Sequence, residues 1–551
     1  MMSILLASSA VPTPAYTLLG TLREKTHAAN ASATLCDPVK QYSGYYTLST
    51  GTVGRSKNYF YWFFESRRTP SPDPVVMWMT GGPGCSSEVA LFGENGPCSI
   101  NKQGTQTITN YYSWNTQANV LYIDQPTGTG FSWGTGYDHN EDTVAADMYD
   151  FLQQFYRNHQ QYKQNPFFVV GESYAGHYVP AVTHKVWEMN TKLPSGALYI
   201  NLKGTSVGNG LTNPEIQYGY YPEMAISSNG HAPAVSNATY EIMKAAVPPC
   251  QEAIRGCDKG IPETCILATD VCNLGLIEPY SLTGLNPYDM REKCEVPPLC
   301  YDFSNVGVYL SRPDVQQALG VDGEHKWKDC NHAVAIEFEL EGDWMHSFQD
   351  KLPDQLAAGI RVLMYAGDQD FICNWLGNQA WTRALEWAHK DEFNAAPVTL
   401  WNVSGTPAGT LQTAANFSFL RVYDAGHMGA LRTALSNATG HCQTLGPQPI
   451  LAFAHPLPAF AQTLPATATR PGETALSVLL VTPLPPPVPA LSPPLCTLAA
   501  HSASRPACAC AGDDQCVPRR KALNEGSFGL FWRGLGARGR AQRLDCVSCG
   551  V

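Results

Sequence analysis

Read for the spacing of apolar and polar positions, the chain breaks into short, largely apolar runs separated by amphipathic stretches. Residues 59–64 form an aromatic run after a turn at 51–54. Residues 75–79 form a second, which leads into Gly81-Gly82-Pro83-Gly84, and the pattern recurs at 120–123, 167–170, 361–365 and 419–423. A helical period covers 143–156, and another begins at His177. Strands apolar on both sides belong to parallel sheets covered by helices on each face. The pattern therefore predicts an α/β fold with a central, mostly parallel sheet. Between 209 and 361 the periodicity loosens. Six closely spaced cysteines lie there, at 250, 257, 265, 272, 294 and 300, and predict a disulfide-stapled insertion, or cap, of about 210–345.

Composition changes near residue 440. Residues 441–551 hold 15 of the 41 prolines and seven of the 18 cysteines but no tyrosine, and carry nine Lys+Arg against five Asp+Glu. This is a Pro/Ala/Cys-rich segment read as a disordered tail, with a small Cys-rich module around Cys508, Cys510 and Cys516 as the alternative. Residues 1–35 read as a weak signal peptide or disordered terminus, since the apolar stretch 1–11 has no basic residue before it. That leaves 36–440 as the folded body.

The whole chain of 551 residues is 44% hydrophobic, with a net charge of −11. It can bury a large core, and without a basic run in the body it is not a nucleic-acid binder. No apolar stretch is long enough to span a membrane. Eighteen cysteines, with no metal-type CxxC spacing in the body, indicate disulfides and an oxidising compartment. Five Asn-x-Ser/Thr acceptors, at Asn30, Asn237, Asn402, Asn416 and Asn437, agree with that.

Three predicted strand ends carry reactive residues. The run 167–170 ends in Gly171-Glu172-Ser173-Tyr174-Ala175-Gly176. A serine between small residues, with a strand before it and a helix after, is the arrangement of a nucleophile elbow, although Ala175 replaces the second glycine of G-x-S-x-G. A serine hydroxyl needs a general base, and the base needs an acid to orient it. Asp368 and Asp370 follow the strand at 361–365, and His427 follows the strand at 419–423; spacing alone does not choose between the aspartates. The order Ser, Asp, His is that of an α/β-hydrolase. The glycines after residue 79 can bring a backbone N–H against an oxyanion, with the Tyr174 N–H as second donor. Neither a P-loop lysine nor GxGxxG is present in the body.

These residues together resemble the serine carboxypeptidase family, the acid carboxypeptidases of lysosomes, vacuoles and secretions. The resemblance rests on Gln41-Tyr42-Ser43-Gly44-Tyr45, Gly81-Gly82-Pro83-Gly84-Cys85-Ser86-Ser87, the segment from Gly171 to Tyr178, Gly208-Asn209-Gly210, Tyr365-Ala366-Gly367-Asp368-Gln369-Asp370 and Gly426-His427-Met428. It implies an α/β-hydrolase fold and a peptidase acting on substrates with a free C-terminus, with no cofactor, no metal and a home in the endomembrane lumen or outside the cell. It places the catalytic acid at Asp370 and the oxyanion donors at Gly82 and Tyr174. It makes Glu94 and Glu172 a carboxyl pair that binds the substrate's C-terminal carboxylate with Thr80 and Trp78; two solvated surface glutamates are the plain alternative. It sets Tyr174, Met428 and Cys373 along the substrate pocket. It pairs Cys85 with Cys330, Cys250 with Cys272, Cys257 with Cys265 and Cys294 with Cys300. Of the body cysteines left, Cys36 and Cys98 are expected to pair and Cys373 to stay a thiol.

The chain departs from the family at Thr80, where an asparagine is usual, and at Gly429-Ala430-Leu431-Arg432, where the family continues with Val-Pro and a final helix. Two other functions stay open: an acyltransferase using the same triad, and an inactive, binding or chaperone-like member lacking that helix. Oligomeric state is not encoded in any motif.

Overall fold

The computed structural model describes residues 15–428, apart from 30–34, 50–55, 137, 227–231, 260–261, 298, 322, 324 and 404. The tail 441–551 and the segment 429–432 lie outside the described residues.

One sheet organises the body. In chain order its long strands are β1 (Gly20–His27), β2 (Gln41–Ser49), β3 (Ser56–Phe64), β4 (Val75–Thr80), β5 (Asn119–Ile123), β6 (Phe167–Ser173), β7 (Leu202–Gly210), β8 (Arg361–Gly367), β9 (Thr399–Val403), β10 (Thr406–Ala414) and β11 (Phe417–Val422). Across the sheet the order is β1-β2-β3-β5-β4-β6-β7-β8-β11-β10-β9, with the short piece Trp133–Gly134 added beside β3. The six strands from β5 to β11 run parallel. Antiparallel hairpins extend both edges. This is the α/β-hydrolase-like sheet that the apolar runs predict.

The parallel centre is buried on both faces, and β4 shows how. Val75, Met77 and Met79 enter one apolar cluster, while Val76 and Trp78 enter the other, on the opposite face. Helix α1 (Ser87–Gly93) follows β4, α2 (Glu141–Asn158) precedes β6 and α3 (Ala175–Lys192) follows it. Each long helix supplies an apolar stripe to the first cluster, with Met148, Leu152 and Phe155 from α2 and Tyr178, Val179 and Val182 from α3.

Five strands, β1, β2, β7, β9 and β10, escape an apolar reading, and β1 and β7 show why. Residues 20–27 fall in the segment read as disordered, yet they form β1, an eight-residue edge strand paired with β2. An edge strand needs only one ladder and keeps its polar side chains in water, so it carries no apolar run. The second is β7, Leu-Lys-Gly-Thr-Ser-Val-Gly-Asn-Gly. It lies between β6 and β8 in the middle of the sheet, and its glycines are small because neighbouring rings fill their places. A Cβ on Gly204 would lie 2.6 Å from the Phe168 ring, and one on Gly208 would lie 2.2 Å from the Tyr365 ring.

Between β7 and β8 the chain leaves the sheet and is mainly helical, with α4 (Asn237–Cys257) and α5 (Pro262–Cys272) its longest pieces. Disulfides join Cys250 to Cys272, Cys257 to Cys265 and Cys294 to Cys300 within this segment. Cys85 to Cys330 fastens it to the loop after β4, and Cys36 to Cys98 closes the β2 side. Cys373 is a buried thiol. Among the glycosylation acceptors, Asn237 and Asn402 are exposed. Asn416 is not available: its amide donates to the carbonyls of Leu356 and Ile360, at 3.0 and 2.6 Å.

Gly208→Val should destabilise the fold by about 1–3 kcal/mol, because a side chain must displace the Tyr365 ring from a packed sheet. Urea unfolding of the variant measures it, and a native midpoint would show that the ring moves freely.

Candidate active site

Ser173 ends β6 and sits with φ 68°, in the left-handed region that an ordinary side chain enters only when its surroundings force it. Tyr174 then caps α3. Three glycines make the turn possible by letting backbones touch. A Cβ on Gly171 would come within 2.4 Å of the Met79 carbonyl, one on Gly176 within 2.2 Å of the Leu211 carbonyl, and one on Gly81 within 2.3 Å of the Tyr174 nitrogen. Ala175 is tolerated because its own Cβ occupies the space that Gly171 leaves empty. The glycine loop after β4 therefore rests against the elbow, and Gly82 borders both cavities that open on Ser173.

His427 follows β11 and is buried. Its Nδ1 lies 2.8 Å from Asp370 Oδ2. Asp370 is fully buried after β8 and accepts three further hydrogen bonds, from Asn209 Nδ2 at 2.8 Å and from the Ile372 and Cys373 amides at 3.1 and 3.3 Å. Asp368 turns elsewhere: it binds the Arg421 guanidinium at 2.9 Å and the Asp424 amide at 2.9 Å. The two aspartates of one turn thus have separate partners, a histidine for one and a structural arginine for the other. Asn209 was quoted only as part of a motif, without a role. Its own φ is 42°, and it holds Asp370 with its amide while accepting from the Gly367 N–H at 3.2 Å. Because β7 has no apolar pattern, nothing in the sequence placed Asn209 at a strand end beside Asp370.

On one side of Ser173 lies a cavity of about 200 Å³, bordered by Thr80, Glu94, Glu172, His427 and Met428. Glu94 and Glu172 are both buried, so they are not a solvated surface pair. Burial lifts the Glu94 carboxyl to about 7, and burial with Glu94 beside it lifts Glu172 well above the usual carboxylate range. Neither Glu94 oxygen meets an N–H or hydroxyl donor among the described residues; the Glu172 carboxyl faces it instead. Two facing acceptors at this depth require a proton between them. Trp78 does not border the cavity. It is fully buried, and its Nε1 donates to the Thr80 hydroxyl at 2.9 Å, which leaves the hydroxyl hydrogen for an acceptor in the cavity.

On the other side lies a cavity of about 490 Å³, walled by Tyr174, Leu211, Tyr218, Tyr221 and Trp344, with the Cys373 thiol at its base. Burial and the nearby Asp370 raise that thiol well above its ordinary range, so it stays protonated. Tyr174 and Cys373 thus line one cavity and Met428 the other, rather than a single pocket.

Among the described residues, two groups have the ligand types of a metal site, and each has other commitments. Asp370 and His427 are bonded to each other, and near His346 both cysteines are in a disulfide.

The sequence profile of the serine carboxypeptidase family matches residues 32–439. The chain belongs to that family. It is 42% identical over 394 residues to a carboxypeptidase Y of Candida albicans, covering 71% of this chain and 70% of that protein. It is 42% identical over 393 residues to serine carboxypeptidase-like 48 of Arabidopsis thaliana, covering 70% and 74%. Among solved structures it is similar to Kex1(Δ)p, a prohormone-processing carboxypeptidase from Saccharomyces cerevisiae, with TM-score 0.64, 25% identity and coverage of 72% of this chain and 89% of that one. The protein is a serine-type carboxypeptidase, a hydrolase whose substrates are peptides.

Proposed function

We propose that Ser173 attacks the carbonyl of the last peptide bond and releases the C-terminal residue through an acyl-enzyme. His427 takes the Ser173 proton and returns it to the leaving amine, and Asp370 holds the imidazole tautomer that makes this possible. The Gly82 and Tyr174 amides receive the oxyanion. The 490 Å³ cavity takes the side chain on the acyl side, and the 200 Å³ cavity takes the released residue. There Thr80 and the Glu94/Glu172 pair donate hydrogen bonds to the substrate's terminal carboxylate.

The observation that carries this reading is the 2.8 Å contact between His427 and Asp370 beside the strained serine, with a protonated carboxyl pair on the leaving-group side. The pair favours peptide hydrolysis over acyl transfer to an alcohol, because an alcohol acceptor offers no carboxylate to bind. The held imidazole likewise favours an active enzyme over an inactive binding protein. Five disulfides support an oxidising lumen as its setting. No helix among the described residues is long and apolar enough to cross a membrane.

Asp370→Asn should lower kcat by several orders of magnitude, since the amide favours the wrong imidazole tautomer. Asp368→Asn should act on stability through Arg421 and leave kcat within a few-fold; steady-state assay on an N-blocked dipeptide separates them. The reverse ranking would move the acid to Asp368.

The pair also sets a pH dependence. Its carboxyls hold their proton more tightly than free glutamates, so below about 7 it can donate to a carboxylate. Above that Glu94 ionises, and Glu172, raised further by that charge beside it, follows at higher pH, so a bound substrate meets one and then two negative charges and KM rises. KM for free-acid peptides should therefore climb as pH passes about 7, while esters or amides, which lack the carboxylate, show no such climb. Glu172→Gln should flatten it. Equal pH profiles of KM for amide and acid substrates would rule the pair out.

A further inference from the structure

A second buried carboxyl pair lies behind the elbow, and the reaction as described does not use it. Glu141 is the first residue of α2, and Asp343 starts a short 3-10 turn, Asp343–Met345, in the insertion between β7 and β8. The Tyr174 hydroxyl donates to Asp343 Oδ1 at 2.7 Å, and the Glu141 amide points at Asp343 Oδ2 from 3.4 Å. Neither Glu141 side-chain oxygen meets an N–H or hydroxyl donor among the described residues; what it faces is the Asp343 carboxyl. The Tyr174 ring is also held by packing, stacked on His177 at 4.4 Å and against Trp344 at 5.1 Å.

We propose that Glu141 and Asp343 share a proton and act as positioning residues: the pair grips the Tyr174 hydroxyl and so fixes both the Tyr174 amide at the oxyanion site and the adjoining Trp344 wall of the acyl-side cavity. Glu141 supplies the proton, and Asp343 accepts from Glu141 and Tyr174 together. The groups around the pair make its loss costly. Asp138 and Asp142 flank Glu141 and add negative charge, and Tyr178 faces it from α3. Lys57 is already bound by Asp138 and Asp147. His346 draws on the Asp343 carboxylate but is paired with Asp258, 3.6 Å from it. His177, beneath the Tyr174 ring, is pushed down to about 3 by burial and carries no charge. Burial lifts Asp343 to about 6, and burial with Asp343 lifts Glu141 well above the usual range. Both shifts are upward, so the pair's contribution to stability is present in acid and is lost as pH rises through about 6 and beyond.

The proposal rests on the reading of Ser173 as nucleophile, and the two fail separately. Activity surviving Ser173→Ala sinks that reading, whereas the present one is judged on variants that keep Ser173. The full-length protein is assayed near pH 6 with an N-blocked peptide and an N-blocked amino-acid ester. Glu141→Ala should lower kcat about tenfold or more for both, with KM changed by about twofold or less, as expected when a hydrogen bond to a charged group is lost from the positioning shell. Glu141→Gln should restore kcat to within about twofold of native, since its amide donates where the acid did. Because glutamine does not titrate, the Tm of Glu141→Gln relative to native should rise between about pH 5 and pH 8. Where Glu141→Ala does not fold, Tyr174→Phe replaces it: that variant keeps the pair, loses its grip on the tyrosine, and should lower kcat for both substrates. Native kcat in Glu141→Ala or Tyr174→Phe, a Glu141→Gln no better than Glu141→Ala, or a Tm difference that does not change with pH overturns the proposal.

Discussion

The site depends on one steric fact: three segments of backbone meet at Ser173 with no side chains between them. Gly171, Gly176 and Gly81 mark the three contacts, and each would put a Cβ inside 2.5 Å of a backbone atom. That closeness forces Ser173 into a left-handed conformation and brings the glycine loop after β4 against the Tyr174 amide. The strain persists because parallel strands on either side of β6 fix it in register through Glu172 and Ser173. Fold and site are therefore one construction, with the sheet's buried centre holding a turn that no isolated peptide would adopt.

Around that turn the protein buries acids in pairs. Glu94 with Glu172 lines the smaller cavity beside Ser173, and Glu141 with Asp343 stands behind Tyr174. A third pair, Glu88 with Asp124, lies under the glycine loop, where Asp124 accepts the Ser87 and Phe131 amides at 3.1 and 2.8 Å. Burial raises all six carboxyls, so each pair is most comfortable where it still holds a proton.

Much of this was legible beforehand, for identifiable reasons. Largely apolar runs revealed β3, β4, β5, β6, β8 and β11, and the Ser-Asp-His order at the ends of β6, β8 and β11 gave the triad candidates. Chemistry that works through partners was harder to see. Asp368 and Asp370 are equivalent in the sequence and differ only because Arg421 and His427 arrive from β11 and the loop after it. Trp78 reads as a site residue but is a fully buried support for Thr80. Asn209 was hidden because its strand is made of glycines and hydroxyl residues whose faces are filled by other strands' rings. The pairing of Glu141 with Asp343 spans 202 residues and no local pattern announces it.

The central claim, that the strained serine is a nucleophile primed by His427 and Asp370, is tested most directly by reaction with a fluorophosphonate probe followed by mass mapping. The account predicts one probe per folded chain, on Ser173, with labelling abolished by prior unfolding. A folded protein that takes up no probe, or takes it up at another residue, would contradict it.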